Sequence, residues 1–528
     1  MDYRLFIPCA GLGMRVSGID DHVNKALLTV ARKPIIAHIL DRVPGSVTTV
    51  VALGHKGATV RDFLELAYPE RRFVFVEIDR YQGPGSGLGY TMLACERELH
   101  CPFVFCSNDT IVLDNIPAPD ANWMGYAEVT DTADYRSLRV RDDLVVEICS
   151  KGALGDVKPY IGLAGIHEYQ AFWEAMHRGG EDAIKIGESH GLRALLGGKV
   201  RGRCFRWFDT GNVAAYGRAR EALRCPDEPT VLPKGGEALW FLGTSVFKFS
   251  TDEKFIADRV TRAGLLSPYV PEIVAHRSTI YQYRKVEGEV FSRRADAGRF
   301  SYLLQWLRRF WQPMDLSTEE RGTLRTVCDR FYRQKTLERV QQYFDRFEQL
   351  DAPETVNGVS IPRVAELLGR VDWARLCEAT PTRIHGDLHF ENILINADPK
   401  RPFTLLDWRQ DFGGLHEYGD LYYDLAKLYH GLIVSHGLIE KGLFQVKREV
   451  DTVEFDLLRS QRLVRCEQVL RRFAEQEGYD LGKIQVLTSL IFLNIAALHH
   501  YPYSLLLFYL GKSWLFELLS IDPQYEVP

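Results

Sequence analysis

The chain of 528 residues has no Cys-x-x-Cys pair among its ten cysteines, which are scattered from Cys9 to Cys466. That excludes a zinc-ribbon arrangement and fits reduced thiols better than a disulfide framework. It has no excess of positive charge either: Lys+Arg 65 against Asp+Glu 70 leaves a net charge of −5, so no bulk field draws in nucleic acid or an anionic membrane. No segment repeats with a period of 20–50 residues, and no tract is of low complexity, which removes solenoids and propellers. The opening run Tyr3–Ile7 follows an acid, Asp2, and is broken by Pro8, so it is not expected to be a secretory signal. A long apolar stretch without Asp, Glu, Lys or Arg does occur, at residues 484–510. Asn494, His499, His500 and Pro502 interrupt it, and it reads as two buried helices joined by His-His-Tyr-Pro rather than a membrane span. A cytoplasmic enzyme is the expectation.

What is present is an ordinary globular composition, 46% hydrophobic and 26% charged, long enough for two to four domains. Over the first ~220 residues short β-branched runs alternate with helical stretches, an α/β pattern with a largely parallel sheet. Tyr3–Ile7, Val47–Leu53, Phe73–Ile78 and Phe103–Cys106 are predicted strands. Pro34–Asp41, Val60–Leu66 and Leu88–Leu99 are the predicted helices between them. A proline- and charge-rich stretch, Arg224–Thr230, reads as a boundary. It separates domains at 1–225 and 226–528. The second has a small β-rich lobe (about 231–288) and a helical lobe (about 289–528). Its clearest helix opens at Ser317 with Glu320 three residues on, a capping box, and continues through Leu324, Val327, Phe331, Val340, Phe344 and Phe347.

Two constellations carry chemistry. After the first strand comes Ala10-Gly11-Leu12-Gly13-Met14-Arg15, then Asn24-Lys25-Ala26-Leu27. Glycines at a strand-to-helix turn bring backbone N–H groups near phosphate oxygens, and Arg15 and Lys25 supply two cations for a polyphosphate. No third glycine completes a dinucleotide fingerprint. Asp109 at a strand end and Asp209 in Trp-Phe-Asp-Thr-Gly offer two hard oxygen donors for Mg²⁺. Together these residues resemble the sugar-phosphate and phosphocholine nucleotidyltransferase family over residues 1 to about 225. The resemblance implies that Gly11, Gly13 and Arg15 hold the β- and γ-phosphates and that Lys25 neutralises the α-phosphate. It further implies that Asp109 and Asp209 bind magnesium, while Gln82, Gly83, Gly85 and Ser86 lie against base and ribose. Met14 and Asn24 depart from the family pattern and blur which NTP is used.

The second constellation is His385-Gly386-Asp387-Leu388-His389-Phe390-Glu391-Asn392, followed by Leu405-Leu406-Asp407-Trp408 and by Gly419–Lys427. Phosphoryl transfer to a hydroxyl needs a carboxylate to take its proton and Mg²⁺ to screen the phosphates. Asp387 offers the first; Asn392 and Asp407 offer ligands for the second. His385 and His389, four apart, could instead bind a metal on a helix, but Gly386-Asp387 between them argues for a loop. The pattern resembles the aminoglycoside-phosphotransferase and choline-kinase family over roughly 230–528. That implies a protein-kinase-like, two-lobed α+β domain in which Lys248 meets ATP phosphates, with Glu253, Asp258 and Glu272 as candidate partners for it. Asp424 is expected to brace the catalytic loop rather than react.

The expected protein is therefore an α/β, Rossmann-like nucleotidyltransferase domain fused to a small-molecule kinase domain. It would use ATP to phosphorylate an alcohol, then couple the phosphate to a second NTP, releasing pyrophosphate for surface-polysaccharide or lipid head-group synthesis. An amino alcohol or polyol with CTP is favoured by the phosphocholine and choline-kinase likenesses; Trp-Phe-Asp-Thr-Gly favours a sugar. The other readings are a sugar 1-kinase joined to a sugar-1-phosphate nucleotidyltransferase, and a nucleotidyltransferase with a regulatory kinase-like module. A small-molecule partner is expected, no nucleic acid; the oligomeric state stays open.

Overall fold

The computed structural model describes residues 2–129, 132–224 and 235–521. The expected boundary beyond Arg224 lies outside the described residues. Packing divides the chain into two compact units, Met1–Ile256 with Val274–Lys285, and Ala257–Ile273 with Val286–Pro528.

The first unit is built on a nine-stranded sheet. Its strands Phe73–Glu77, Thr48–Leu53, Arg4–Cys9 and Phe103–Cys106 run parallel, in that spatial order. The strand Arg4–Cys9 shows no polar alternation because both faces are covered. Leu5, Ile7 and Cys9 enter one core layer with Ile36, Ile39, Val60 and Phe63. Phe6 enters the opposite layer with Met92, Cys95, Phe172 and Trp173. The predicted helices appear at Ile35–Leu40, Gly57–Ala67 and Leu88–Cys95, the last continuing as a 3₁₀ turn to Leu99.

The sheet is not largely parallel, as the alternation of strands and helices suggested. Beyond Phe103–Cys106 the strand Lys158–Ile166 is antiparallel, and the far half holds Trp123–Tyr126, Arg201–Cys204, Leu144–Cys149 and Ser137–Arg141. A tight turn at Asp142-Asp143 joins Ser137–Arg141 to Leu144–Cys149 as an antiparallel hairpin, while the helices Tyr169–Ile186 and Glu188–Leu195 lead into Arg201–Cys204, which runs parallel to Trp123–Tyr126. The same unit also holds a four-stranded sheet in the order Glu237–Leu242, Ser245–Ser250, Ile280–Arg284, Ile273–His276. Trp240 fastens it: the side chain is fully buried, meets Phe63 edge-on at 5.0 Å, and donates from Nε1 to Thr29 Oγ1 at 2.9 Å.

The second unit is mainly helical. The capping box at Ser317 is present, with Glu320 N donating to Ser317 Oγ and Ser317 N to the Glu320 carboxylate. The helix Thr318–Asp329 widens into a π-turn over Arg330–Gln334 before Lys335–Phe347 continues. That extra residue shifts the apolar register, so Tyr343 is fully buried while Phe344 and Phe347 are half-buried. The apolar stretch at 484–510 forms two helices, Leu481–Ala496 and Tyr503–Ile521, with a break between them. By length and composition Tyr503–Ile521 could cross a bilayer, but most of it is buried inside the unit. Its Lys512 is fully buried and pairs with Glu354 at 2.8 Å, and Tyr509 donates to the same carboxylate.

Candidate functional site

In the first unit the candidate residues gather where parallel strands end. After Cys9 the chain turns through Gly11 and Gly13, whose φ of 71° is left-handed and suits glycine. A Cβ at Gly13 would come 3.3 Å from Lys25 Cβ, so the glycine lets the two segments lie together. Asn24 fixes the lysine segment: its side chain accepts from Ala26 N and donates to Cys9 O and His55 O, tying the ends of two neighbouring strands. The residue that departs from the family pattern thus does the positioning.

Lys25 Nζ lies 2.6 Å from Asp109 Oδ2, with Arg15 at 3.6 Å from the same oxygen. Ser107 Oγ donates to Asp109 Oδ1 at 2.5 Å. Burial pushes the Asp109 carboxyl up, but the Lys25 ammonium, the Ser107 hydroxyl and the Arg15 guanidinium outweigh it and leave it below the usual range. Asp209 is brought alongside by pairing of Trp207–Asp209 with Thr110–Val112, and Thr210 donates to Asp109 O through both N and Oγ1. A Cβ on Gly211 would sit 2.8 Å from Asp209 Oδ1 and 3.3 Å from Asp109 Oδ2, so the two carboxylates border one small space. Two hard oxygen donors completed by substrate phosphates suit Mg²⁺. Tyr135, which sequence reasoning missed, donates to Asp209 Oδ2 at 3.0 Å. Gln82, Gly83, Gly85 and Ser86 form an exposed loop at the same sheet edge, closed by Ser86 Oγ donating to Gly83 O. No contact joins this loop to Lys25 or the two aspartates among the described residues.

Lys248 lies on Ser245–Ser250 and is paired, at 2.6 Å, with Glu237 on the adjacent strand. The carboxylate is therefore none of Glu253, Asp258 or Glu272. Strand pairing sets this partner, and only the register of Glu237–Leu242 against Ser245–Ser250 reveals it.

In the second unit Asp387, Asn392 and Asp407 converge. The segment 385–392 is a loop ending in a 3₁₀ turn, not a helix, so His385 and His389 do not form a metal pair. His385 is fully buried, its Nε2 against Leu406 O at 2.9 Å, and burial pushes its imidazole down to about 3. Asn392 Nδ2 donates to Asp387 O, and Leu406 N donates to Asn392 O, which sets Asp407 beside the loop. Asp407 has a left-handed φ of 51°, a strained choice for a non-glycine residue, and its carboxylate is held by Arg259. The asparagine amide and the aspartate carboxylate form an oxygen donor set fitting Mg²⁺.

Asp424 braces the loop as expected: it accepts from His385 N at 2.7 Å, Gly386 N at 2.8 Å and Trp311 Nε1 at 3.1 Å. Two further residues were not legible from spacing. Lys427 Nζ lies 2.7 Å from Asp387 Oδ1, one helical turn after Asp424. Burial pushes the Asp387 carboxyl up, yet Lys427 and the histidines override it and hold it well below the carboxylate range. Arg262 is fully buried and donates to Ile384 O, Arg409 O and His416 O, sewing the catalytic loop to the segment after Asp407.

No curated protein matches the chain. Among solved structures, CTP:phosphocholine cytidylyltransferase from Streptococcus pneumoniae is similar at 17% identity and a TM-score of 0.37, covering 42% of this chain and 100% of its own. UTP-bound UGPase from Acinetobacter baumannii is similar at 15% and 0.35, covering 43% and 95%. HddC from Yersinia pseudotuberculosis is similar at 19% and 0.33, covering 42% and 100%. Residues 250–440, which hold Asp387, Asn392, Asp407, Asp424 and Lys427, match the model of the Phosphotransferase enzyme family.

Proposed function

We propose that the protein is a bifunctional transferase that phosphorylates a small alcohol or sugar and then joins the phosphate to a nucleotide. The observation that carries the reading is one chain with two sites, each pairing a largely covered lysine with a half-buried carboxylate beside oxygen donors for Mg²⁺. In the second unit the acceptor hydroxyl gives its proton to Asp387 as its oxygen bonds to the γ-phosphorus of ATP; the bond to the β-phosphate oxygen breaks and ADP leaves. Lys427 holds Asp387 ionised and stands next to the transferred charge. In the first unit an oxygen of the phosphate monoester attacks the α-phosphorus of an NTP and pyrophosphate leaves. Lys25 and Arg15 stabilise the charge that builds on the phosphates. Asn392 and Asp407 in one site, and Asp109 and Asp209 in the other, would hold Mg²⁺, which would supply charge neutralisation on the phosphates. CTP as the second nucleotide, a role in surface-polysaccharide or lipid head-group synthesis and a cytoplasmic location belong to this reading.

A second reading, a nucleotidyltransferase with a regulatory kinase-like half, is favoured by the engagement of the Asp407 carboxylate by Arg259. One experiment separates them. With a pool of alcohols and sugars, ATP and the four NTPs, wild type should give a ³¹P diphosphodiester signal. Asp387→Asn should lose it, by the ~10²–10⁴-fold that a general base is worth, and recover it when the phosphate monoester is supplied. Asp109→Ala should accumulate the monoester and not recover. Formation of the diphosphodiester from unphosphorylated acceptor at the normal rate in Asp387→Asn supports the regulatory reading.

A further inference from the structure

Beside Asp387 the second unit collects more positive charge than its acids neutralise. Lys427 is matched by Asp387 itself. Lys335 and Arg409 are not matched: among the described residues no carboxylate lies within ion-pair distance of either. Arg409 Nε is buried without a hydrogen-bond partner. Both cations rest on one aromatic ring, with Lys335 Nζ 4.4 Å and Arg409 Cζ 4.7 Å from the Phe331 centroid. One ring offsets only part of the cost of taking two like charges out of water.

Their position ties them to the reacting centre. A Cβ on Gly386 would come 2.7 Å from Arg409 Cβ, so the arginine stem lies against the residue preceding Asp387, and Arg409 N donates to His385 O. Phe331 belongs to the π-turn Arg330–Gln334, and Lys335 opens the helix after it. Wide turns of this kind cost helix geometry and recur at functional sites. Burial, with repulsion from Arg409, Arg339 and Lys427, pushes the Lys335 ammonium down to about 7, and Asp387 acts against that shift.

We propose that the alcohol phosphorylated by the second unit bears an anionic group, a phosphate monoester or a carboxylate, which Lys335 and Arg409 bind beside Asp387. The inference rests on the phosphotransfer reading above and narrows its acceptor class away from amino alcohols. An ammonium group there would meet the positive charge of Lys335 and Arg409, while the Asp387 carboxylate is already engaged by Lys427. An anion would supply the counter-charge that both side chains lack.

The test uses the full chain with Mg²⁺ and a non-hydrolysable ATP analogue, and reads acylation of the Lys335 amine by peptide mass spectrometry. Inorganic phosphate is expected to lower Lys335 labelling several-fold in wild type and to lose that effect in Arg409→Gln, while choline leaves labelling unchanged. Glycerol 3-phosphate and glycerate, run in parallel, tell a phosphate from a carboxylate. Lys335→Arg, which keeps the charge, should keep the thermal stabilisation by phosphate that Lys335→Gln loses; both variants are checked by their melting curves. Protection by choline, equal protection by phosphate in wild type and Arg409→Gln, or no protection by any anion overturns the proposal. Turnover is scored separately, as Asp387-dependent ATP consumption with glycerol, glycerol 3-phosphate, glycerate and choline. Anion protection without turnover therefore counts against phosphotransfer alone, and turnover of choline with no anion protection counts against this inference alone.

Discussion

Lys25 and Arg15 look alike in the sequence and differ in their surroundings. The Lys25 side chain is 8% exposed and sits on half-buried Asp109, whereas Arg15 is 69% exposed. Each truncation to alanine should lower nucleotidyl transfer by ~10²-fold or more, because each removes a charge from the transferring phosphates. Only Lys25→Ala should also lower the melting temperature, since it removes the closest partner of a half-buried carboxylate; Arg15→Ala should melt like wild type. Asp424 gives a prediction of different sign. Burial, only partly countered by the N–H donors of His385 and Gly386, raises its carboxyl from 3.8 to about 6. A carboxyl raised on folding binds its proton more tightly in the native chain. Its contribution is therefore present below the unfolded value and lost as pH rises through about 6. Urea unfolding of wild type and Asp424→Asn should show the wild-type advantage shrinking from about pH 4 to pH 7, by at most about 3 kcal/mol. At every pH Asp424→Asn should lower kinase turnover, because the amide nitrogen replaces one of the two accepting oxygens and faces the N–H of either His385 or Gly386, which disturbs the loop that carries Asp387.

Elements differ in how locally they are encoded. The capping box at Ser317 is read from two residues three apart, and Ser317→Ala should cost about 1 kcal/mol, measured by denaturant midpoint, without altering either activity. The helix Glu253–Leu266 has a local start signal too, Asp252 accepting from Phe255 N, but nothing local marks Arg262, through which it holds the carbonyls of Ile384, Arg409 and His416. Arg262→Leu should leave those carbonyls unpaired, lower stability by several kcal/mol, and reduce kinase turnover while nucleotidyl transfer in the same preparation stays near wild type. A normal kinase rate in a stably folded Arg262→Leu variant would remove its positioning role. The π-turn at Arg330–Gln334 is invisible to a periodicity count, since apolar spacing across it still looks helical.

For the molecule as a whole, the change of sequence character near residue 225 and the division by packing do not coincide. The strands Glu237–Leu242 and Ser245–Ser250 pack into the first unit through Trp240. A fragment ending at residue 224 should expose Phe63 and leave Thr29 Oγ1 without its indole partner. It should melt well below a fragment ending at residue 285, consistent with the ~3–5 kcal/mol that loss of a buried tryptophan costs. Equal melting temperatures would show that the small sheet adds nothing to the first unit.

Sequence alone determined what depends on short spacing: the parallel strands and their helices, the glycine turn before Arg15, the loop from His385 to Asn392, the break at His499–Pro502. Each is set by neighbours within a few residues, through propensity, periodicity or turn chemistry. Tertiary structure alone decided what depends on distant segments meeting. The mixed far half of the large sheet, Glu237 as the partner of Lys248, Lys427 on Asp387, and the unmatched pair Lys335 and Arg409 all arise that way. Charge pairing acts over a few ångströms in space and carries no period along the chain, so these partners become visible only once the backbone is folded.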